Sequence, residues 1–266
     1  MDDLEPLTAG VDELLPGHAL DPSLSVTLPP GYQVWPDPGF PQHHATDGPA
    51  FWMSDGPAPS GLWARFRAAH PDSGLWPVLL DDSAQPWAAG QIAPEPVAEI
   101  DSYDPAAFIA EVWSEWVDPP VDITPFGRYS PGPAPAAEPL EAPGTAADRY
   151  AADLTGRPLG LVPAGRGADV LTAIGWQGAR HHNPLTAPLS AVLRGWEDRF
   201  GARVVGIGFD TLDLSVAAPP LTFRHALHVA AEHATFCPEA IVQGPGTLTG
   251  HAEQIRGAPF WSFHWE

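Results

Sequence analysis

Arg203-Val204-Val205-Gly206-Ile207-Gly208-Phe209, Asp210-Thr211 and Leu212-Asp213-Leu214-Ser215-Val216 make up the stretch on which the fold turns. The first run is apolar and rich in β-branched residues, Asp210-Thr211 supplies turn chemistry, and the second run alternates. The pattern predicts two strands joined by a tight turn, with Leu212 and Leu214 on a buried face. Upstream, Leu189, Val192, Leu193, Trp196 and Phe200 recur at helical spacing, opened by Thr186-Ala187-Pro188 and closed by Gly201. Downstream, residues 222–236 and 247–256 predict two more helices, and Trp261, Phe263 and Trp265 fall on one face of a terminal strand. Residues 146–155 read as a short helix, 158–163 as a strand, and 169–176 as a strand because the segment is short. Helices interleaved with strands predict an α+β fold. It is a two-layer mixed α/β C-terminal domain over residues 146–266, with a small sheet packed by about three helices.

The front of the chain has a different character. Of 34 prolines, 25 lie in residues 1–150; proline fixes φ and has no amide hydrogen, so this region is expected to be loop-heavy. Residues 1–50 read as an irregular acidic segment and 51–117 as a small helix/strand region. In the latter, Leu62, Phe66 and Ala69 share a helix face, and residues 74–80 form a strand whose Pro77 predicts an edge position. Asp104-Pro105 opens a second helix with the stripe Phe108, Ile109, Val112, Trp113 and Trp116. Residues 118–145 are a Pro/Ala-rich linker.

Charge excludes several functions. Formal net charge is −21, and residues 1–150 carry 23 acids against 4 arginines. A surface of that sign disfavours nucleic acid and anionic membrane. All 12 basic residues are arginine, so a lysine Schiff base or P-loop lysine is ruled out. Cys237 is the only cysteine, which excludes an internal disulfide and a multi-cysteine metal site. No secretory signal and no membrane span are read, so a cytoplasmic protein is expected. No GxSxG elbow, P-loop or GxGxxG stands in a strand–turn–helix context, and no cofactor is expected.

Several blocks resemble one bacterial family, the domain-of-unknown-function family 4253. They are Gly175-Trp176, Leu193-Arg194-Gly195-Trp196-Glu197-Asp198-Arg199-Phe200-Gly201-Ala202, Gly208-Phe209-Asp210-Thr211 and Ala218-Pro219-Pro220. Ala231-Glu232-His233, Phe236-Cys237-Pro238-Glu239, Gln243 and the ending Trp261-Ser262-Phe263-His264-Trp265-Glu266 follow in order. The resemblance covers about residues 157–266, with weaker similarity at 61–80. Gln177-Gly178-Ala179-Arg180-His181-His182 stands where members carry an Asn-Glu-Cys-Pro-like segment, and His264 and Glu266 stand where tryptophan and aspartate are commoner. The resemblance implies a fold and a compartment and no established reaction.

The residues themselves offer three candidate sites. Asp210, Glu232, His233 and Cys237 are catalytic candidates, a carboxylate, imidazole and thiol set that a hydrolase would gather at the sheet end. Against this, Cys237 follows a helix C-terminus, which disfavours thiolate. His225, His228 and Glu232 share one flank of the 222–236 helix and form the metal candidate, although no HExxH spacing is present. The bland alternative for that flank is a solvated polar face. Trp63, Trp113, Trp116, Trp261 and Trp265 are the binding candidates, because tryptophan beside many acids suits a protein-binding surface; their alternative is a thin second core. Adjacent pairs His43-His44 and His181-His182 read as surface loops. Together these features favour a non-enzymatic acidic protein-binding module, an immunity-like neutraliser of a basic protein partner, with the hydrolase as the alternative.

Overall fold

The computed structural model describes residues 26, 28–41, 48–81, 86–115 and 122–266. Seven strands form one mixed sheet in the order β1-β2-β4-β3-β5-β6-β7. They are β1 (Gly31–Val34), β2 (Phe51–Pro57), β3 (Leu75–Leu80), β4 (Pro158–Pro163), β5 (Arg203–Ile207), β6 (Thr211–Ser215) and β7 (Phe260–His264). All neighbours are antiparallel except β3 and β5, which run parallel and pair only through Leu79↔Gly206 and Leu80↔Ile207.

The predicted β5–β6 hairpin is present, closed by the Gly208 amide donating to the Thr211 carbonyl. The α+β class holds. The sheet is larger than the small one expected, because β1, β2 and β3 from the proline-rich front join it. Residues 118–145 therefore do not divide two sheets.

Helices cover both faces. On one lie α1 (Leu62–Ser73) against β3 and α3 (Pro143–Asp153) against β5 and β6. Tyr150 of α3 stacks on Phe260 of β7 at 5.0 Å. On the other face lie α5 (Ala187–Phe200) and α6 (Phe223–Phe236). There Trp196 stacks on Phe263 and meets Trp261 edge-on. The remaining helices are α2 (Pro105–Glu115), α4 (Val170–Ile174), α7 (Glu239–Val242) and α8 (Leu248–Ile255). None of the described helices is long and apolar enough to cross a membrane.

Three local expectations change. The Pro77 strand is not at an edge: β3 lies between β4 and β5. Its proline is accommodated because β5 pairs only with residues 79–80, so at Pro77 the strand has a ladder on the β4 side alone. The adjacent Trp76 indole supplies a substitute donor, its Nε1 giving a 2.9 Å hydrogen bond to the Val204 carbonyl of β5. Residues 169–176 are not a strand. Asp169 ends a 3₁₀ turn, and Val170–Ile174 form the helix α4. Nearly every residue there is buried, so no periodicity betrays the helix. It ends at Gly175, whose φ of 66° is a left-handed cap and whose amide bonds Leu171 and Thr172 carbonyls. A Cβ at Gly175 would lie 1.8 Å from the Ala93 carbonyl carbon, so only glycine fits.

The third change concerns the linker. Its described part lies as a strap across α5 and α6. The Ala137 amide donates to the Arg199 carbonyl and the Leu140 amide to that of Ala217. Ala134 is buried at 1% exposure.

Candidate functional site

The carboxyl ends of the parallel pair β3/β5 lead into Asp81 and the 208–210 turn. Ligands in α/β sheets collect at such ends because neighbouring loops diverge there. Asp81, just past β3, accepts hydrogen bonds from the Phe209 amide and the Trp87 indole, which ties the β5 exit to the 86–91 turn. From the other side, the segment after α4 is anchored by Trp176, whose Nε1 donates to the Gly208 carbonyl at 2.8 Å. Gly178 lies against Trp176 and the Phe209 carbonyl, where a Cβ would come within 2.1 Å of the indole. Beyond β7, the Trp265 amide donates to the Asp210 carbonyl and its ring meets Trp176 edge-on at 5.1 Å.

Trp265 borders two clefts. The first, of about 310 Å³, lies at the strand ends and includes Gln91, Gln177, Arg180, His181, Phe209, Asp210 and Glu266 in its lining. The second, of about 410 Å³, lies between α2 and the 179–189 segment. Phe108, Val112, Leu189, Phe236 and Trp265 give it apolar surface, and Glu111, Glu115, His182 and Asn183 give it a polar rim.

The four catalytic candidates do not converge on either cleft. Asp210 lines the first, with its carboxylate 3.3 Å from Nε2 of His264. Glu232 is fully buried under the strap and held by four donors: the Ala134 amide, the Trp196 indole and both terminal nitrogens of Arg199. His233 is buried among Trp196, Trp261 and Phe263, and its Nδ1 lies 3.0 Å from Nε2 of His251. Burial, then the neighbouring His251, holds the His233 imidazole well below its ordinary value, so it stays neutral. Cys237 donates to the His264 carbonyl at 3.2 Å, and burial pushes its thiol up to about 12. A thiol so protonated is a core group and not a nucleophile. The hydrolase constellation is thus separated by burial into a structural ion pair, a histidine pair and a packed thiol.

The metal set is also dispersed. His225 Nε2 bonds the Pro135 carbonyl, His228 Nδ1 bonds the Arg224 carbonyl, and Glu232 is engaged by Arg199. No group of three or more metal-type side chains occurs among the described residues. On the helical flank read as solvated, Glu232 is covered because the strap lies over it, which the helix alone does not reveal, while His225 and His228 stay partly exposed.

Among the binding candidates, Trp63, Trp113, Trp261 and Trp265 are buried. Trp63 packs on Trp76 and Trp113 on Phe126, while Trp261 packs on Trp196 and Phe200. They are core side chains; Trp265 borders the two clefts above, and Trp63 borders a separate one of about 270 Å³ between α1 and α3. Trp116, His43 and His44 lie outside the described residues. His182, read as a loop residue, pairs with Glu239 at 3.1 Å.

The residues that the sequence reading missed are Glu111, Glu115, Arg180, His181 as cleft linings, and His264. Glu111 and Glu115 stand one turn apart on the polar face of α2, a spacing visible in sequence, but their position over an apolar floor is a tertiary fact.

Residues 158–266 match the family model described as Domain of unknown function (DUF4253). The part of the sheet in this region, β4 to β7, is completed by β1 to β3 from outside the matched region. No curated protein and no solved structure shows significant similarity to the chain.

Proposed function

We propose that the protein is a non-enzymatic binding module that receives a basic protein partner on its acidic front, in the manner of an immunity protein neutralising a basic toxin or nuclease. One observation carries the reading: Glu111 and Glu115 line the 410 Å³ cleft and have no ion-pair partner among the described residues. An arginine or lysine fits such a place, its stem on Phe108, Val112 and Leu189 and its charge between the two carboxylates. Two like charges at i, i+4 cost a helix about 0.2–0.5 kcal/mol, which a cationic side chain would relieve.

The surrounding surface supports the same partner. Residues 97–115 contain Glu99, Asp101, Asp104, Glu111 and Glu115 and no base. Only Asp101 of these is paired to a base among the described residues, to Arg194. A ridge of one sign steers an oppositely charged protein and makes association salt-sensitive. The test is affinity capture at low salt with the wild-type chain and an E111R/E115R double variant. Wild type is expected to retain one basic protein in near-stoichiometric amount, released by salt, and the double variant to lose it. Equal retention by both chains, or no basic partner at all, would refute the proposal.

A further inference from the structure

We propose that the 310 Å³ cleft at the carboxyl ends of β3 and β5 binds a small zwitterion, a free amino acid with an apolar side chain. This is independent of the basic-partner reading, which concerns the other side of Trp265. The cleft lies within the size range of small-ligand sites, about 300–1,000 Å³. Its lining carries both signs of charge, from separate parts of the chain. The carboxylates of Asp210 and Glu266 come from the β5–β6 turn and the chain just past β7, and the basic side chains Arg180 and His181 come from the segment after α4.

These charges do not neutralise one another. Among the described residues neither Arg180 nor His181 forms an ion pair, Glu266 forms none, and Asp210 is paired only with His264 outside the cleft's lining. Most of the chain's arginines are bound to carboxylates, whereas Arg180 shares a cleft lining with two acids and forms an ion pair with neither. A carboxylate meets Arg180 and His181, with bidentate geometry available to the guanidinium, and an ammonium meets Asp210 and Glu266.

Apolar surface separates the polar groups. Phe40, Phe209 and Trp265 line the same cleft, and Phe209 is 51% exposed, unusual for phenylalanine at a strand end. Trp265, 1% exposed, backs this lining as a packed aromatic wall. Gly178 lets the segment that carries Arg180 and His181 pack against Trp176 and the Phe209 carbonyl. Groups of opposite charge type set among apolar walls together describe the α-ammonium, α-carboxylate and side chain of an apolar amino acid.

The test is calorimetry and thermal shift on the full chain with L-phenylalanine and L-leucine, alongside N-acetyl-L-phenylalanine and L-phenylalaninamide. At least one free amino acid is expected to bind at one site and raise the melting temperature, with both capped forms at least tenfold weaker. R180A and D210N, checked for native circular dichroism, are each expected to weaken binding at least tenfold, while E111Q/E115Q binds as wild type. No binding by either amino acid, capped forms that bind equally, or R180A and D210N that bind as wild type would each overturn the proposal.

Discussion

Replacing Arg199 by methionine should destabilise the protein by about 3–5 kcal/mol, the range for leaving one partner of a buried ion pair alone. The magnitude follows from the surroundings of Glu232. That carboxylate is wholly buried, and two of its four hydrogen bonds come from Arg199, each at 2.7 Å. Without the guanidinium, only the Ala134 amide and Trp196 indole remain, both neutral donors. Arg199 also donates to the Ala134 carbonyl, so the strap loses a second anchor worth about 1 kcal/mol. Glu232→Gln should cost less, about 1–3 kcal/mol, because Arg199 keeps partial solvent contact at 20% exposure and its bond to Ala134. If the two side chains act as one unit, R199M/E232Q is less destabilised than the sum by about 1–3 kcal/mol. Urea unfolding followed by tryptophan fluorescence, with equal m-values across the set, measures all four corners of the cycle. An R199M variant within about 1 kcal/mol of wild type, or strict additivity, would refute the view that this pair fastens the strap.

Three other outcomes are expected. His251 is held at about 4 and His233 well below 6.5, both chiefly by burial. Between these folded values and the unfolded 6.5 the unfolded chain binds more protons, so stability is present above about 6.5 and falls as pH drops toward 4. The slope is about 1.4 kcal/mol per pH unit for each imidazole, and His251→Leu should make it shallower in pH-dependent urea melts. With its thiol raised from 9.0 to about 12, Cys237 carries roughly a thousandfold less thiolate than a free cysteine, so a thiol reagent at pH 8 should label it only on unfolding. Gly175→Ala should cost at least about 3 kcal/mol in thermal melts, since it combines a left-handed φ with a clash against the Ala93 backbone.

What was legible in the sequence was periodic. The β5–β6 hairpin, the α5 stripe with Gly201 as its cap, and the Asp104 cap of α2, whose carboxylate accepts from the Ala107 amide, all declare themselves in local chemistry. What was not legible depends on neighbours distant in sequence. The strands β1 and β2 carry no clear alternation, and Phe51, Trp52, Met53 and Ser54 are all buried because β4 and the helices enclose them. Glu232 sits on a polar helix flank and reads as solvated until the strap at 131–137 is laid over it. Burial of Cys237, by contrast, was suggested by residue type and helix face, while that of His233 was not. The clefts were invisible, because each combines residues from elements that lie far apart along the chain.

The same distribution of partners bears on where the negative charge acts. The arginines of the rear half largely neutralise acids of that half: Arg157 holds Asp213, Arg166 holds Glu197 and Asp198, Arg194 holds Asp169, and Arg199 holds Glu232. Among front-half acids Asp101, Glu141 and Asp148 have arginine partners, while Glu99, Asp104, Glu111 and Glu115 have none among the described residues. Many of these pairs lie partly inside the fold, so the bases are taken out of the surface field while the front carboxylates stay in it. Sharing one sheet between front and rear then places the unneutralised acids of α2 beside the family domain, over Leu189, Phe236 and Trp265, instead of on a detached tail. A solubilising charge needs no such placement. Carboxylates fixed on a helix above an apolar floor have the arrangement that recognition of a cationic side chain requires, and that is why the decisive comparison is E111R/E115R against wild type, not a general reduction of charge.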